Sequence, residues 1–413
     1  MKGLNRSYWP DAEATGQLLT ELCEGLVDRF EVHVVAGQPL QNPTGVAFRR
    51  WGTERHKGVT IRRVWHTTLP KRWMIFRLVN LVTYLLGAAW AVVWSRRPDV
   101  VVVETDPPLL CLLGWLMQRR GARLVVYLQD IYPDLGVAIG KIPDAWWTGI
   151  LRRWMFATYR RADRVVVLSR DMRRRILDGD VSPDKITCVP NWIDTSRLQP
   201  QKSGNPFRDE HLQSIDGTRP KPRVLVMYSG NMGLCQRLED VLDAAERLKD
   251  HSEVSFLLVG DGASRRRLEA DARRRGLDNV RFLPYQPIER LAESLSAADI
   301  HLVPLDPRVS DCLMPSKLYG ILASATPVLA IASADCELAE IVRQHGIGRT
   351  AAPGDPDGIA TAILEMVADH EHLRQMGQRA RRLAEEQYDR RYATARFGRL
   401  LGEVLGLGDE TGE

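Results

Sequence analysis

The stretch VLVMYSGNMGLCQRLEDVLDAAERL, residues 224–248, decides the fold. Residues 224–228 are an apolar run of strand length, and Ser229-Gly230-Asn231 ends it. Leu238, Val241, Leu242, Ala245 and Leu248 then recur at helical spacing. The same unit repeats downstream. A strand over 254–259 ends in Gly260-Asp261-Gly262, and an Arg-rich helix leads to a strand over 280–283. A helix over 289–297, a strand over 300–305, a helix from 316 and a strand over 327–331 follow. Apolar strands alternating with helices predict a parallel sheet covered on both faces.

The N-terminal half keeps this rhythm less regularly. Strands are expected over 32–36, 100–104, 124–129, 164–168 and 186–189, with helices over 15–29 and 146–162. A short first strand over 3–5 enters the Tyr8-Trp9-Pro10 loop. The chain is therefore read as α/β, with two Rossmann-like, doubly wound parallel-sheet domains facing a central cleft. The expected boundaries are 1–198 for the first domain and 199–222 for a polar linker or insertion. The second domain takes 223–385, and a terminal helix in 386–413 crosses back to the first.

Composition agrees with two domains. The 413 residues exceed one ordinary core, and 44% hydrophobic with 26% charged residues is a globular balance. The formal charge of +5 is mild, although arginines bunch at 152–153, 173–175, 265–267 and 273–275. No nucleic-acid-binding signature accompanies them, so solvated helix faces are expected and no nucleic-acid partner. The six cysteines lie at no metal-ligand spacing, which fits a reducing, cytoplasmic compartment. The first residues lack the apolar core of a signal peptide.

One segment departs from a plain soluble reading. Residues 78–95 carry no charge and sit between Lys71, Arg72 and Arg77 on one side and Arg96-Arg97 on the other. A spanning helix needs about 20 apolar residues. Three readings are open: a span, a helix lying on an anionic membrane surface, and a core helix. Basic residues at both ends, and a strand starting at 100, favour surface attachment through residues 71–97 at the inner face of the plasma membrane.

Ligands of open parallel sheets bind beyond the carboxyl ends of the strands. Gly230, Asn231 and Gly233 follow one strand there, and Gly260 and Gly262 follow the next. Such glycines let a diphosphate approach the backbone, next to helix N–H groups. Arg265 stands where a dinucleotide fingerprint needs its third glycine, which argues against a nicotinamide or flavin site. Pro315, Ser316 and Lys317 open a helix with a hydroxyl, a lysine and N–H groups suited to phosphate. Thr15 and Gly16 open the first long helix. Gln129 and Asp130 follow the 124–127 strand core, and Tyr285 either lies against a base or belongs to the core. Glu104 and Asp106 resemble a metal-binding pair, but strand-end loop chemistry is the simpler account, and no metal ligands are assigned.

The chain resembles glycosyltransferase family 4, a retaining family with the GT-B fold. The resemblance rests on Tyr8-Trp9-Pro10 with Ala14-Thr15-Gly16, Pro190-Asn191-Trp192-Ile193-Asp194, 228–233, 259–262, Pro315-Ser316-Lys317-Leu318 and Thr326-Pro327-Val328. Gln129-Asp130-Ile131-Tyr132-Pro133-Asp134 points to the branch that builds O-antigen, capsule and colanic-acid-type exopolysaccharide. Two places depart from the family pattern. Asn231 and Gln236 stand for its donor-holding Arg and Lys, and Cys312 and Gly320 stand for its paired glutamates. Arg237 and Lys317 are the candidate substitutes for the missing positive charge.

The resemblance implies transfer of a hexose-type sugar from a nucleotide-diphospho-sugar to a saccharide or polyprenyl-diphosphate-linked acceptor. It implies no metal, no cofactor and no protein nucleophile. The leaving phosphate takes the acceptor proton, while N–H donors and Lys317 meet the developing charge. Asp130 and Gln129 would orient a sugar. An epimerase on the same fold and a degenerate membrane-associated scaffold are the competing readings.

Overall fold

In the computed structural model, residues 1–11, 13–39, 45–70, 73–212 and 223–407 are described. Lys71, Arg72 and residues 213–222 of the expected linker lie outside them. Two compact units divide the chain. Unit 1 comprises Met1–Asn191, Asp311–Met314 and Arg390–Glu413, and unit 2 comprises Trp192–Ser310 and Pro315–Asp389.

Unit 1 is built on an eight-stranded sheet. Its strands are β1 (Lys2–Leu4), β2 (His33–Ala36), β3 (Gly52–His56), β4 (Val59–Arg63), β5 (Val100–Val103), β6 (Arg123–Tyr127), β7 (Arg164–Val167) and β8 (Ile186–Cys188). They lie in the order β3-β4-β2-β1-β5-β6-β7-β8. All neighbours pair in parallel except β3 with β4, a hairpin that adds an antiparallel edge. Helices α1 (Ala14–Leu26), α2 (Met74–Val93), α3 (Leu110–Arg119), α4 (Asp134–Ala138), α5 (Trp146–Arg161) and α6 (Arg170–Leu177) connect them. Val100–Val103 is buried throughout, as a strand covered on both faces must be. The terminal helix Arg390–Leu405 packs on α1, and Phe397 meets Tyr127 edge-on at 4.9 Å.

Unit 2 opens with α7 (Pro206–His211), inside the stretch expected to be linker. Asn205 caps it by accepting from the Arg208 N–H, and Phe207 is fully buried, which makes this turn part of the core. A six-stranded parallel sheet follows. It is formed by β9 (Val224–Ser229), β10 (Val254–Val259), β11 (Val280–Leu283), β12 (Ile300–Pro304), β13 (Val328–Ile331) and β14 (Gly348–Ala351), ordered β11-β10-β9-β12-β13-β14. Its helices are α8 (Leu238–Arg247), α9 (Arg265–Arg274), α10 (Leu291–Ser296), α11 (Lys317–Ala323), α12 (Glu337–Gln344), α13 (Pro356–Ala368) and α14 (His370–Gln387). Alternate strand residues feed two cores: Val226, Phe256, Ile300 and Leu329 on one face, Leu225, Met227 and Leu257 on the other.

Candidate functional site

In unit 2 the two glycine loops lie directly on each other. The Gly230 N–H donates to Val259 O at 2.9 Å, and the Met232 N–H donates to Asp261 O at 2.8 Å. Gly260 has φ +140°, and a β-carbon there would sit 1.9 Å from Gly230 O. At Gly262, with φ +156°, it would meet Met232 O at 2.5 Å. Only glycine satisfies both the backbone sign and the contact. Arg265, in the place of a fingerprint glycine, donates to Gly260 O at 2.5 Å and Leu283 O at 3.2 Å, so it braces the loop.

The loop does not lead straight into a helix. A short turn, Leu234–Gln236, comes first, and Arg237 in the left-handed conformation, φ 42°, sets the start of α8. The Gly233 N–H is taken by Gln236 Oε1 at 3.0 Å, which gives Gln236 a turn-closing role. The guanidinium of Arg237 grips Asp240 with two bonds, at 2.9 and 3.0 Å. Asp240 in turn accepts from the Gly354 N–H at 2.9 Å. Arg237, 38% exposed, thus meets a carboxylate in the first turn of α8. Glu239 and Asp240 also fill the first turn of α8, where an anion would otherwise gain from the helix dipole.

Lys317 is placed differently. Its ammonium approaches from α11 beneath Gly230, with Nζ 3.3 Å from where a β-carbon on that glycine would stand. Nζ donates to the Tyr228 hydroxyl at 2.6 Å, and that hydroxyl donates to Asn231 O at 2.5 Å. Burial pushes the Lys317 pKa down to about 7. Pro315 and the exposed Ser316 precede it, and the first N–H groups of α11 have no partner within the helix. Asn231 is exposed at the loop tip. Tyr285 is 55% exposed with its hydroxyl 3.4 Å from Asp261 O, so it is a surface ring beside the second glycine loop and not a core aromatic.

In unit 1 the strand ends gather acids. Asp130 is half-buried, its N–H reaches the Thr105 hydroxyl at 3.3 Å, and Ile131 N–H donates to Cys312 O at 2.9 Å. Burial, and then the neighbouring Asp106, raise the Asp130 pKa to about 6. Gln129 is turned inward. Its Oε1 accepts from Asn191 Nδ2 at 3.0 Å, and Tyr127 donates to the same Asn191 at 3.1 Å. Past the end of β6, Gln129 is thus buried and held by Asn191, whereas the Asp130 side chain stays half-buried.

Glu104 and Asp106 have different surroundings. Glu104 is 1% exposed, and burial, then the neighbouring Asp106, pushes its pKa well up. Asp106 faces Arg6 at 3.0 Å and accepts from the Ser7 hydroxyl at 3.0 Å. Glu13, just ahead of α1, accepts from the same hydroxyl at 2.7 Å. Gly16 packs against Ser7, where a β-carbon would stand 3.0 Å from Ser7 Cβ, and Thr15 is half-buried beside it. The sequence reading missed Arg6 and Ser7. Their signal was their position directly after the first strand.

Of the two positions departing from the family's glutamates, Cys312 is buried against Asp311 in unit 1, at 3.2 Å. Gly320 lies on α11 in unit 2, facing Leu295.

Residues 14–192 match the family described as glycosyl transferase 4-like domain, and residues 210–383 match glycosyl transferases group 1. The chain belongs to glycosyltransferase family 4. Among its relatives is WcaI of Escherichia coli strain K12, described as a colanic acid biosynthesis glycosyl transferase. It is 29% identical over 90% of this chain and 92% of its own length. The glycosyltransferase WbjE of Pseudomonas aeruginosa is 28% identical over 66% of this chain and 67% of its own. Solved structures share the GT-B fold of this glycosyltransferase. Sucrose-phosphate synthase from Thermosynechococcus elongatus, 19% identical, superposes over 98% of this chain and 99% of that one with a TM-score of 0.76. HepE of Anabaena, in complex with UDP and glucose, is 15% identical and covers 98% and 100% with a TM-score of 0.72.

Proposed function

We propose that this glycosyltransferase moves a hexose-type sugar, with retention, from a nucleotide-diphospho-sugar to a lipid-linked saccharide during cell-surface polysaccharide synthesis. The observation that carries the reading is the Lys317 ammonium held under Gly230, where two glycine loops and the start of α11 meet. A diphosphate is the ligand that such a surface suits: backbone can approach it, and a cation and N–H donors face it. Charge developing on the departing diphosphate would be met there, in a desolvated setting where each donor is worth more than in water. Tyr285 would lie against the base. In unit 1, ionised Asp130 would accept a hydrogen bond from a sugar hydroxyl, with Gln129 and Asn191 fixing the strand end behind it. The leaving phosphate takes the acceptor proton, so no metal and no cofactor are needed.

We further read α2 as attaching unit 1 to the inner face of the plasma membrane, where a polyprenyl-diphosphate-linked acceptor would be found. By length and composition Ile75–Val93 could cross a membrane. Ile75, Leu78, Val82, Leu86 and Trp90 are exposed, which does not suit a core helix, while Tyr84, Ala88 and Val92 are buried against the unit. An inner face committed to the protein and an outer apolar face suit a helix lying on lipid better than one crossing it.

A thermal-shift screen of UDP- and GDP-sugars tests the donor reading. A raised unfolding midpoint with one such nucleotide-sugar, lost in Lys317→Ala, supports it. A screen in which none stabilises the folded protein defeats it. NMR of the product anomer then decides retention.

A further inference from the structure

Helices α2, α3 and α5 all make right-handed crossovers rightward along the first sheet, β4 to β5, β5 to β6 and β6 to β7, so they cover the same face. They are neighbours, since α3 packs against both α2 and α5. Their sequences contain no aspartate or glutamate, and their charged residues are Arg77, Arg119, Arg152, Arg153, Arg160 and Arg161. By contrast α8, α9 and α14 mix both signs.

The outer side of this layer is apolar beyond α2. On α5, Trp146 is 80% exposed and Trp154 59%, with Trp147 and Ile150 exposed between them. Positions 146, 147, 150 and 154 share one helix face, opposite the buried Thr148, Met155 and Tyr159. Exposed tryptophans grouped on one face mark a partner surface, because water gives them nothing. Indole rings favour the lipid headgroup region, and three helices without carboxylates, whose arginines other than the Asp134-paired Arg152 include the exposed Arg153, complement anionic headgroups.

We propose that α5 is a second lipid-contacting helix: its 146–154 face enters the headgroup region of an anionic bilayer beside α2, giving unit 1 a footprint of two helices. This rests on the membrane reading of α2. Arg153, exposed between the apolar positions and the arginine pair at 160–161, would meet lipid phosphate.

The test is flotation of the full-length protein with vesicles of phosphatidylcholine containing about one-third phosphatidylglycerol. Wild type is compared with Trp146→Gln/Trp154→Gln and with Leu86→Gln/Trp90→Gln. Each double variant is expected to weaken vesicle binding by roughly tenfold or more, given the apolar area that an indole buries. Their donor binding stays unchanged, because the altered side chains are on the surface. Hydrogen exchange reports independently of substitution: vesicles should slow exchange across 146–161 as well as 74–93. If the α5 variant floats like wild type and its exchange is unaffected by lipid, α5 is not a contact, while the α2 reading stands. If wild type does not float at all, both fail together. Protection of 146–161 that rises with protein concentration, without lipid, would assign the face to a protein partner and overturn the proposal.

Discussion

In unit 2 the Lys317 ammonium donates to the Tyr228 hydroxyl at 2.6 Å and lies 3.9 Å from the centre of the same ring. The phenol passes the contact on to the Asn231 carbonyl, so one cation is wired to the loop expected to hold diphosphate. Burial holds its pKa near 7, which leaves the lysine about half charged at neutrality.

Donor affinity should therefore depend on pH. A bound diphosphate favours the charged amine, so its pKa rises on binding and affinity is full below 7. Above 7 the free protein must take up a proton to bind, and affinity should fall by up to about tenfold per pH unit. Calorimetry from pH 6 to 9 would show this slope in wild type and none in Lys317→Met. The substitution should cost on the order of 1–3 kcal/mol of donor binding at pH 6.5.

Gly260→Ala should disable the site through the backbone. The added methyl would overlap Gly230 O, and the φ of +140° is strained for alanine. A loss of about 2 kcal/mol or more in stability is expected, with donor binding abolished. Chemical denaturation and the thermal-shift screen measure the two effects separately.

Asp130 should give the transfer rate its acidic limb. Its pKa is raised to about 6 by burial and by Asp106, so the carboxylate is present above that value and is lost as pH falls through it. A kcat/KM profile with an apparent pKa near 6 is expected. In Asp130→Asn the rate should drop by roughly tenfold to a hundredfold, and the limb should vanish.

Transfer should persist in excess chelator. The two carboxyls best placed to hold a divalent ion are poorly disposed to do so: Glu104 is fully buried, where its charged form is disfavoured, and Asp106 faces Arg6. A rate that collapses with EDTA and returns with Mn²⁺ or Mg²⁺ would make Glu104 and Asp106 metal ligands instead.

The alternation of strands and helices in unit 2 could be read from residues 224–331 because buried parallel strands are unbroken apolar runs. The β3–β4 hairpin was not legible: Thr53 and Arg55 face solvent, and a polar edge strand has no such run. Loop positions showed the glycines but not the left-handed turn at Arg237, which follows from local backbone geometry and not from residue type. Arg237 and Lys317 looked alike as candidate cations. What separates them is Asp240, three residues along one helix, against Tyr228, brought from a distant strand. Tyr285 was undecidable for a similar reason, since one aromatic after a strand carries no periodicity. Exposure on α5 was hidden as well, because its tryptophans sit in a helix that also supplies Met155, Phe156 and Tyr159 to the core.

The helix Arg390–Leu405 belongs to unit 1, although all of unit 2, Trp192–Ser310 and Pro315–Asp389, is synthesised before it. On the ribosome, the first sheet emerges early, yet the surface that receives Phe397 beside Tyr127 stays open until residues 390–405 have been made. At about 5–20 residues per second, that interval lasts on the order of ten seconds or more. Unit 2, contiguous but for four residues, can close first. Nascent unit 1 is thus the form that chaperones would meet, with the face of α1 that the helix Arg390–Leu405 covers still open.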